Sequence, residues 1–141
     1  MTAKKNNPFK LRDFRGLDPI HVEALAARGI KTAERLLAAA ATPFQRAVLA
    51  QETNIPTEAI LEMVKLSDLA RLPGVKGIRA RLYYDAGVDS VAKMAAWEPE
   101  PLRLMVTEFV QRTGFDGIPP LPKEVSSTIA NARKLPVILK E

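Results

Sequence analysis

No cysteine occurs in this chain of 141 residues, histidine occurs once, at His21, and aromatic residues make up 6% of the total. The lack of cysteine excludes disulfide scaffolds, thiolate zinc sites and Cys–His catalysis. A Ser–His–Asp triad would have to use His21, and no glycine-rich nucleotide loop is present. No apolar run approaches the roughly 20 residues that cross a bilayer. The sequence therefore predicts a cytoplasmic, non-enzymatic protein without metal, cofactor, small-molecule substrate or membrane partner.

Strand-forming residues are also scarce. Runs of β-branched residues are few, whereas alanine, leucine, arginine, lysine and glutamate cluster, which favours helices over sheets. With 47% apolar and 26% charged residues, the composition is that of a globular protein. A chain of this length can bury one core without help from a ligand. We therefore expect an all-α fold.

The basic charge is unevenly distributed. Of the formal net charge of +5, most lies in the first 15 residues, where five cations face the single acid Asp13. We interpret residues 1–13 as a flexible basic tail. The cations that this tail could offer to a nucleic acid are Lys4, Lys5, Lys10 and Arg12. A second basic stretch, residues 71–81, contains four cations and no acid, while the rest of the chain is nearly neutral.

The two halves of the chain resemble each other. At an offset of 58 residues, matching positions include Gly16 with Gly74, Gly29 with Gly87, Thr32 with Ser90 and Pro43 with Pro101. An insertion of eight residues in the second half, around residues 114–121, then moves the offset to 66. The pattern predicts tandem repeats over residues 14–70 and 71–136, packed as one compact domain and followed by a C-terminal tail at residues 137–141.

Helix-end signals recur within each predicted repeat. Asp18 before Pro19 is typical of an N-cap followed by a first-turn proline. The other predicted caps are Thr32, Ser90 and a capping box from Thr42 to Gln45. The predicted C-terminal stops are Gly29, Gly87 and Gly114.

The start of the second repeat carries a specific motif. Residues 72–82, LPGVKGIRARL, together with Gly87, resemble the helix-hairpin-helix motif, whose pattern is apolar-x-Gly-apolar-Gly-x-x-x-Ala-x-x-Leu. The first repeat matches more loosely, through Gly16, Leu17 and Gly29. From Phe14 to Leu135 the chain is similar to a bacterial family of unassigned function built from paired, degenerate repeats of this kind. The resemblance implies that backbone N–H groups of the hairpin hold a DNA phosphate without reading base sequence.

Both repeats lack the second glycine of the motif. In the first hairpin (residues 14–18) its place is taken by Asp18, whose carboxylate would repel a phosphate, so we expect a structural role there. In the second hairpin (residues 72–77) its place is taken by Lys76, a cation followed at once by Gly77. The candidate nucleic-acid contacts are Gly74, Val75, Lys76, Gly77, Arg79 and Arg81.

Two interpretations of the second hairpin stay open. In the first, it holds DNA through the phosphate backbone. In the second, its glycines merely close a turn between helices, Arg79 and Arg81 are solvated, and the chain is an adaptor for an unidentified protein partner. The near-neutral charge outside the basic tail favours the adaptor.

Overall fold

The computed structural model describes residues 8–141, and nearly all of its regular structure is α-helix. A short 3-10 helix, Leu11–Asp13, comes first. The α-helices that follow are α1 (Pro19–Ala26), α2 (Ala33–Ala39), α3 (Pro43–Thr53), α4 (Thr57–Leu69), α5 (Ile78–Asp85), α6 (Val91–Ala95), α7 (Pro99–Thr113) and α8 (Pro122–Lys134). The described chain contains no strand, only an isolated bridge between Lys10 and Thr32. The predicted all-α class is confirmed.

The predicted N-caps are formed as the sequence indicates. The Asp18 carboxylate accepts a hydrogen bond from the Ile20 N–H at 2.9 Å, ahead of Pro19. Thr42 and Gln45 form the reciprocal capping box at the start of α3. Thr32 and Ser90 cap α2 and α6 in the same way. Each side-chain oxygen accepts from an N–H that the helix itself cannot pair.

The predicted glycine stops are also confirmed. After α1, the N–H of Ile30 donates to the Leu25 carbonyl and that of Gly29 to the Ala26 carbonyl, the two bonds of a Schellman motif. The equivalent bonds after α5 join Val88 to Tyr83 and Gly87 to Tyr84. Gly29, Gly87 and Gly114 have φ values of 80°, 101° and 71°. Residues other than glycine adopt this backbone region only at a cost in free energy.

The helices pack in two similar sets. α4 contacts α2, α3 and α5, and α8 contacts α6 and α7. Fully buried side chains from both sets form one core, including Leu36, Ile60, Leu69, Leu82, Met94 and Leu102. The recurring pairings accord with a duplication, which stays a prediction. One difference is clear, because a three-residue 3-10 helix precedes the first hairpin whereas the 13-residue α4 precedes the second.

The start of the described chain differs from the prediction of a flexible tail. Leu11 is fully buried, its N–H donates to the Lys31 carbonyl, and Phe9 accepts from the Ala33 N–H. A flexible tail is therefore wrong for residues 8–13, because one buried leucine and paired backbone groups attach this segment to α2. The predicted tail cations Lys4 and Lys5 lie outside the described residues.

The end of the chain is attached in a similar way. The Leu139 side chain is buried, and the Lys140 N–H donates to the Ala41 carbonyl at 2.8 Å. Arg46, itself buried, donates to the Ala40 carbonyl at 3.0 Å and to the Lys140 carbonyl at 2.7 Å. The C-terminal tail, residues 137–141, therefore packs against the first set of helices.

Among residues 8–141, none of the helices combines the length and the apolar character needed to cross a membrane.

Candidate functional site

The two hairpins lie side by side. Arg81, in α5 after the second hairpin, donates a hydrogen bond from its Nε to the Arg15 carbonyl of the first hairpin at 2.8 Å. A Cβ added to Gly77 would lie 3.8 Å from the carbonyl oxygen of Asp13. The positive φ values of Gly16 (83°) and Gly74 (79°) give both hairpins a left-handed residue. The fold thus brings the two hairpins into contact.

The backbone of the second hairpin is anchored at Val75. Its side chain is buried, and its N–H donates to the Leu72 carbonyl at 3.1 Å. Gly77 has φ 52° and ψ −117°, a conformation available to glycine and strained for other residues. Between residues 74 and 81, the backbone N–H groups that donate to no acceptor within residues 8–141 are those of Gly74, Lys76, Gly77, Ile78 and the buried Ala80. Ile78 begins α5, so these donors lie at the positive end of a helix dipole.

Lys76 uses its charge locally. Its Nζ donates to the carbonyl of Ala70, the C-cap residue of α4, and lies 5.9 Å from the centroid of the Phe9 ring. A cation at the C-terminal end of a helix is favourable for the dipole. Lys76 therefore ties the hairpin to α4 and to Phe9, although the residue as a whole is exposed.

Arg79 attaches the inserted loop, residues 114–121, to α5. Its Nη1 donates to the Ile118 carbonyl, and its Nη2 donates to Glu124 Oε1 at 3.2 Å. The hydrogen bond from the Leu121 N–H to Glu124 is the main cause that holds the pKa of Glu124 below its ordinary value; burial opposes it, and the Arg79 charge and hydrogen bond add to the lowering. Arg79 and Glu124 therefore form a charged pair between α5 and α8.

Arg81 is buried, with 8% of its surface exposed. Besides its bond to Arg15, its Nη2 lies 2.8 Å from Glu62 Oε2 and its Nη1 3.3 Å from Asp85 Oδ1. Its guanidinium also lies 5.2 Å from the centroid of the Tyr84 ring. Arg81 joins the two hairpins from the inside, so the phosphate contact predicted for it would require these bonds to open.

A crevice of about 320 Å³ lies beside the second hairpin, between α5 and α8. The residues that give it polar character are Gly74, Arg79, Tyr83, Lys123, Glu124, Ser127 and Thr128. The sequence analysis selected Gly74 and Arg79 but not the others. Tyr83 and Thr128 have the spacing of ordinary core residues, and nothing in the sequence shows that they meet.

The remaining candidates lie apart from this crevice. Lys10 and Arg12 are exposed before the first hairpin. His21 is half-buried on α1. Among the described residues, no three histidine, aspartate or glutamate side chains come together as metal ligands.

Comparison with known proteins gives one match. The family model described as "Domain of unknown function (DUF4332)" matches residues 15–135. No curated protein and no solved structure matches the chain.

Proposed function

The chain belongs to the DUF4332 family, and we propose that it binds the phosphate backbone of DNA through its second hairpin, without reading base sequence. The observation that carries this proposal is the set of backbone N–H groups without an acceptor at Gly74, Lys76, Gly77 and Ile78. Adjacent N–H groups at a helix start form a concave site for an anion. The proposal also assigns the paired hairpins to the helix-hairpin-helix type. The predicted absence of enzymatic activity and the predicted cytoplasmic location are kept with it.

Glycine is important at this surface for two reasons. Gly77 adopts a conformation that favours glycine, and a Cβ added to Gly74 would meet no heavy atom within 4 Å. The space over Gly74 is therefore open to a phosphate oxygen.

The expected affinity for DNA follows from the groups that are free to bind it. Because Lys76 and Arg79 are held by internal bonds, this affinity rests on backbone donors and on local positive potential. We expect modest affinity, equal for unrelated sequences and strongly reduced by salt.

The experiment compares two glycines of matched geometry. Gly74 and Gly29 have φ values of 79° and 80°, and neither would bring a Cβ within 4 Å of another heavy atom. Gly74→Asp and Gly29→Asp therefore change the net charge equally and impose the same backbone strain. Gly74→Asp is expected to weaken binding to duplex DNA about tenfold or more and to flatten the slope of log K against log salt by about 0.9. Gly29→Asp is expected to bind like the wild type.

The basic N-terminal segment needs a separate control, because Lys4 and Lys5 could attract DNA by charge alone. Deletion of residues 1–7 removes them without disturbing Phe9 and Leu11, which pack against the domain. The truncated protein should keep its DNA affinity and its sensitivity to Gly74→Asp. Loss of all detectable binding at low salt, or equal binding by the two aspartate variants, would show the hairpin proposal to be wrong.

A protein-interaction function is the second candidate, and a specific groove favours it. An apolar groove of about 410 Å³ lies between α2 and α4 and is bordered by Ile138. Leu37 and Ala70 contribute to its apolar lining, and Glu34 and Arg71 also line it. Ala38, an exposed helical residue of the groove, can be changed to arginine with little loss of helix propensity. If the groove holds a protein partner, Ala38→Arg should abolish co-purification of that partner while DNA binding is unchanged.

A further inference from the structure

We propose that the crevice between the second hairpin and α8 binds a phosphomonoester, the terminal phosphate of a free nucleotide or of a nucleic-acid strand end. The strand-end source rests on the proposed DNA-binding function, whereas the free-nucleotide source is independent of it. The crevice adjoins the turn over Gly77 and shares Gly74 and Val75 with the second hairpin, but most of its lining consists of side chains of α5 and α8.

Two hydroxyl groups without a protein partner point to a ligand. Tyr83 and Thr128 are 1% and 6% exposed, and both line the crevice. Neither hydroxyl forms a hydrogen bond with any residue in the range 8–141, and neither oxygen is among the fully buried unpaired atoms, so both oxygens reach solvent. A polar atom on an otherwise buried side chain takes its hydrogen bond from solvent or from a ligand. A ligand oxygen in the crevice would replace this solvent and accept a hydrogen bond from each hydroxyl.

The Tyr83 phenol lies between the charged groups of this crevice. Burial raises the pKa of Tyr83 to about 12, with smaller opposing effects from the charges of Arg79 and Glu124. Both of these side chains line the same crevice, so the phenol is within reach of the space they enclose. The phenol stays protonated at neutral pH and serves there as a hydrogen-bond donor.

The other polar groups indicate an anion. Arg79 and Lys123 supply positive charge, and Ser127 supplies a third hydroxyl. Glu124 is the only acid in the crevice, and its charge is balanced by Arg79 and by the Leu121 N–H. Donors therefore outnumber acceptors, which suits a group with several acceptor oxygens.

The number of acceptor oxygens favours a terminal phosphate. Tyr83 and Thr128 are the most buried of the polar residues that line the crevice, and Arg79, Lys123 and Ser127 add further donors. A diester within a strand continues in two directions and offers two free oxygens, whereas a monoester continues in one direction and offers three. The monoester therefore offers these donors one more acceptor.

The experiment is a titration of the full chain followed by amide NMR shifts. The probes are inorganic phosphate, deoxyadenosine 5′-monophosphate and, as the uncharged control, deoxyadenosine. Saturable binding of the monophosphate with shifts in α5 and α8, and no saturation by the nucleoside, is the expected result. Equal binding of deoxyadenosine and its 5′-monophosphate, or amide shifts outside α5 and α8, would overturn the proposal.

The variants test the two hydroxyls. Tyr83→Phe and Thr128→Val each remove a hydroxyl and keep the shape, and each should weaken monophosphate binding about tenfold. Tyr84→Phe is the matched control, because Tyr84 is the next residue of α5 and does not line the crevice. The affinity of Tyr84→Phe for the monophosphate should equal that of the wild type. Without ligand, the Tm of Tyr83→Phe should equal that of the wild type. A marked fall would show that the hydroxyl has an internal partner and would refute the premise.

The source of the phosphate is determined with DNA. If a 5′-phosphorylated short duplex competes with the monophosphate and its unphosphorylated form does not, the ligand is a strand end. If neither duplex competes, the ligand is a free nucleotide. Both results support the crevice proposal. Closed circular DNA has no monoester, so Tyr83→Phe should not affect its binding. Absence of binding to circular DNA with intact monophosphate binding would refute the hairpin proposal alone. Binding to circular DNA without binding of the monophosphate would refute the crevice proposal alone.

Discussion

Arg81 closes the turn that contains Gly16, although 65 positions separate them in the chain. Its Nε donates to the Arg15 carbonyl at 2.8 Å, and a Cβ on Gly16 would lie 3.1 Å from that same Nε. The absence of a side chain at Gly16 is what lets the guanidinium lie flat against the first hairpin. One arginine thus holds the two hairpins together.

Removing this guanidinium should destabilise the protein. Arg81→Met keeps the aliphatic packing but leaves the Arg15 carbonyl and Glu62 without their partner. We expect a loss of about 2 kcal/mol in the free energy of unfolding, measured by urea denaturation, because a largely buried ion pair is broken on one side. The control is Arg103→Met, whose exposed pair with Glu100 should contribute nothing measurable. Equal stability of the two variants would contradict the role given to Arg81.

The space over Gly16 gives a second prediction. Gly29→Ala, where nothing lies within 4 Å of the new methyl group, should cost about 1 kcal/mol of unfolding free energy from the positive φ alone. Gly16→Ala imposes the same strain and also displaces Arg81, so it should cost about 1 kcal/mol more. In an Arg81→Met background the two alanine variants should become equivalent. A persistent difference there would assign the extra cost to another contact.

The stability of the protein should depend on the ionisation of Asp89. Burial by itself would raise the pKa of this carboxyl, but hydrogen bonds and charges from Lys65 and Lys93 outweigh burial and leave the pKa below its ordinary value of 3.8. The carboxylate therefore stabilises the fold above the unfolded-state pKa, and this contribution is lost as the pH falls through the lower folded-state pKa.

The measurement is urea unfolding of the wild type and Asp89→Asn across pH. Asp89→Asn should be less stable at pH 7 by an amount that stays constant down to about pH 5 and shrinks at lower pH. Glu108→Gln, at an exposed position without an ion pair in the described chain, should show no such trend. A difference for Asp89→Asn that does not vary with pH would rule out the ion pairs as its cause.

The attachment of residues 137–141 should depend on Arg46. Arg46→Met removes the bonds to the Ala40 and Lys140 carbonyls and keeps most of the buried side chain. We expect the Lys140 amide, which donates to Ala41, to exchange with solvent about tenfold faster in the variant. The Asn54 amide at the end of α3 is the internal control and should exchange at the wild-type rate. Unchanged exchange at Lys140 would show that Leu139 burial alone holds the segment.

Local chemistry explains the sequence-based predictions that the structure confirms. Asp18, Thr42 and Gly29 act on N–H and C=O groups within a few residues of themselves, so the helix ends could be predicted from short windows. The prediction of a flexible tail was wrong for residues 8–13 for the opposite reason, and the packing of residues 137–141 could not be predicted either. The partners of these segments lie far along the chain, and a terminal sequence gives no sign of them.

The sequence by itself determined that this chain is helical, where most helices begin and end, and that cations collect near the second hairpin. Only the tertiary structure decided how those cations are used. Lys76, Arg79 and Arg81 look equivalent in the sequence, yet they bond to Ala70, Glu124 and Arg15 respectively. It also decided that the Tyr83 and Thr128 hydroxyls share a crevice. The physical reason is range: caps and turns act over one helical turn, whereas the partner of a long side chain depends on how α5 packs against α8 and the first hairpin.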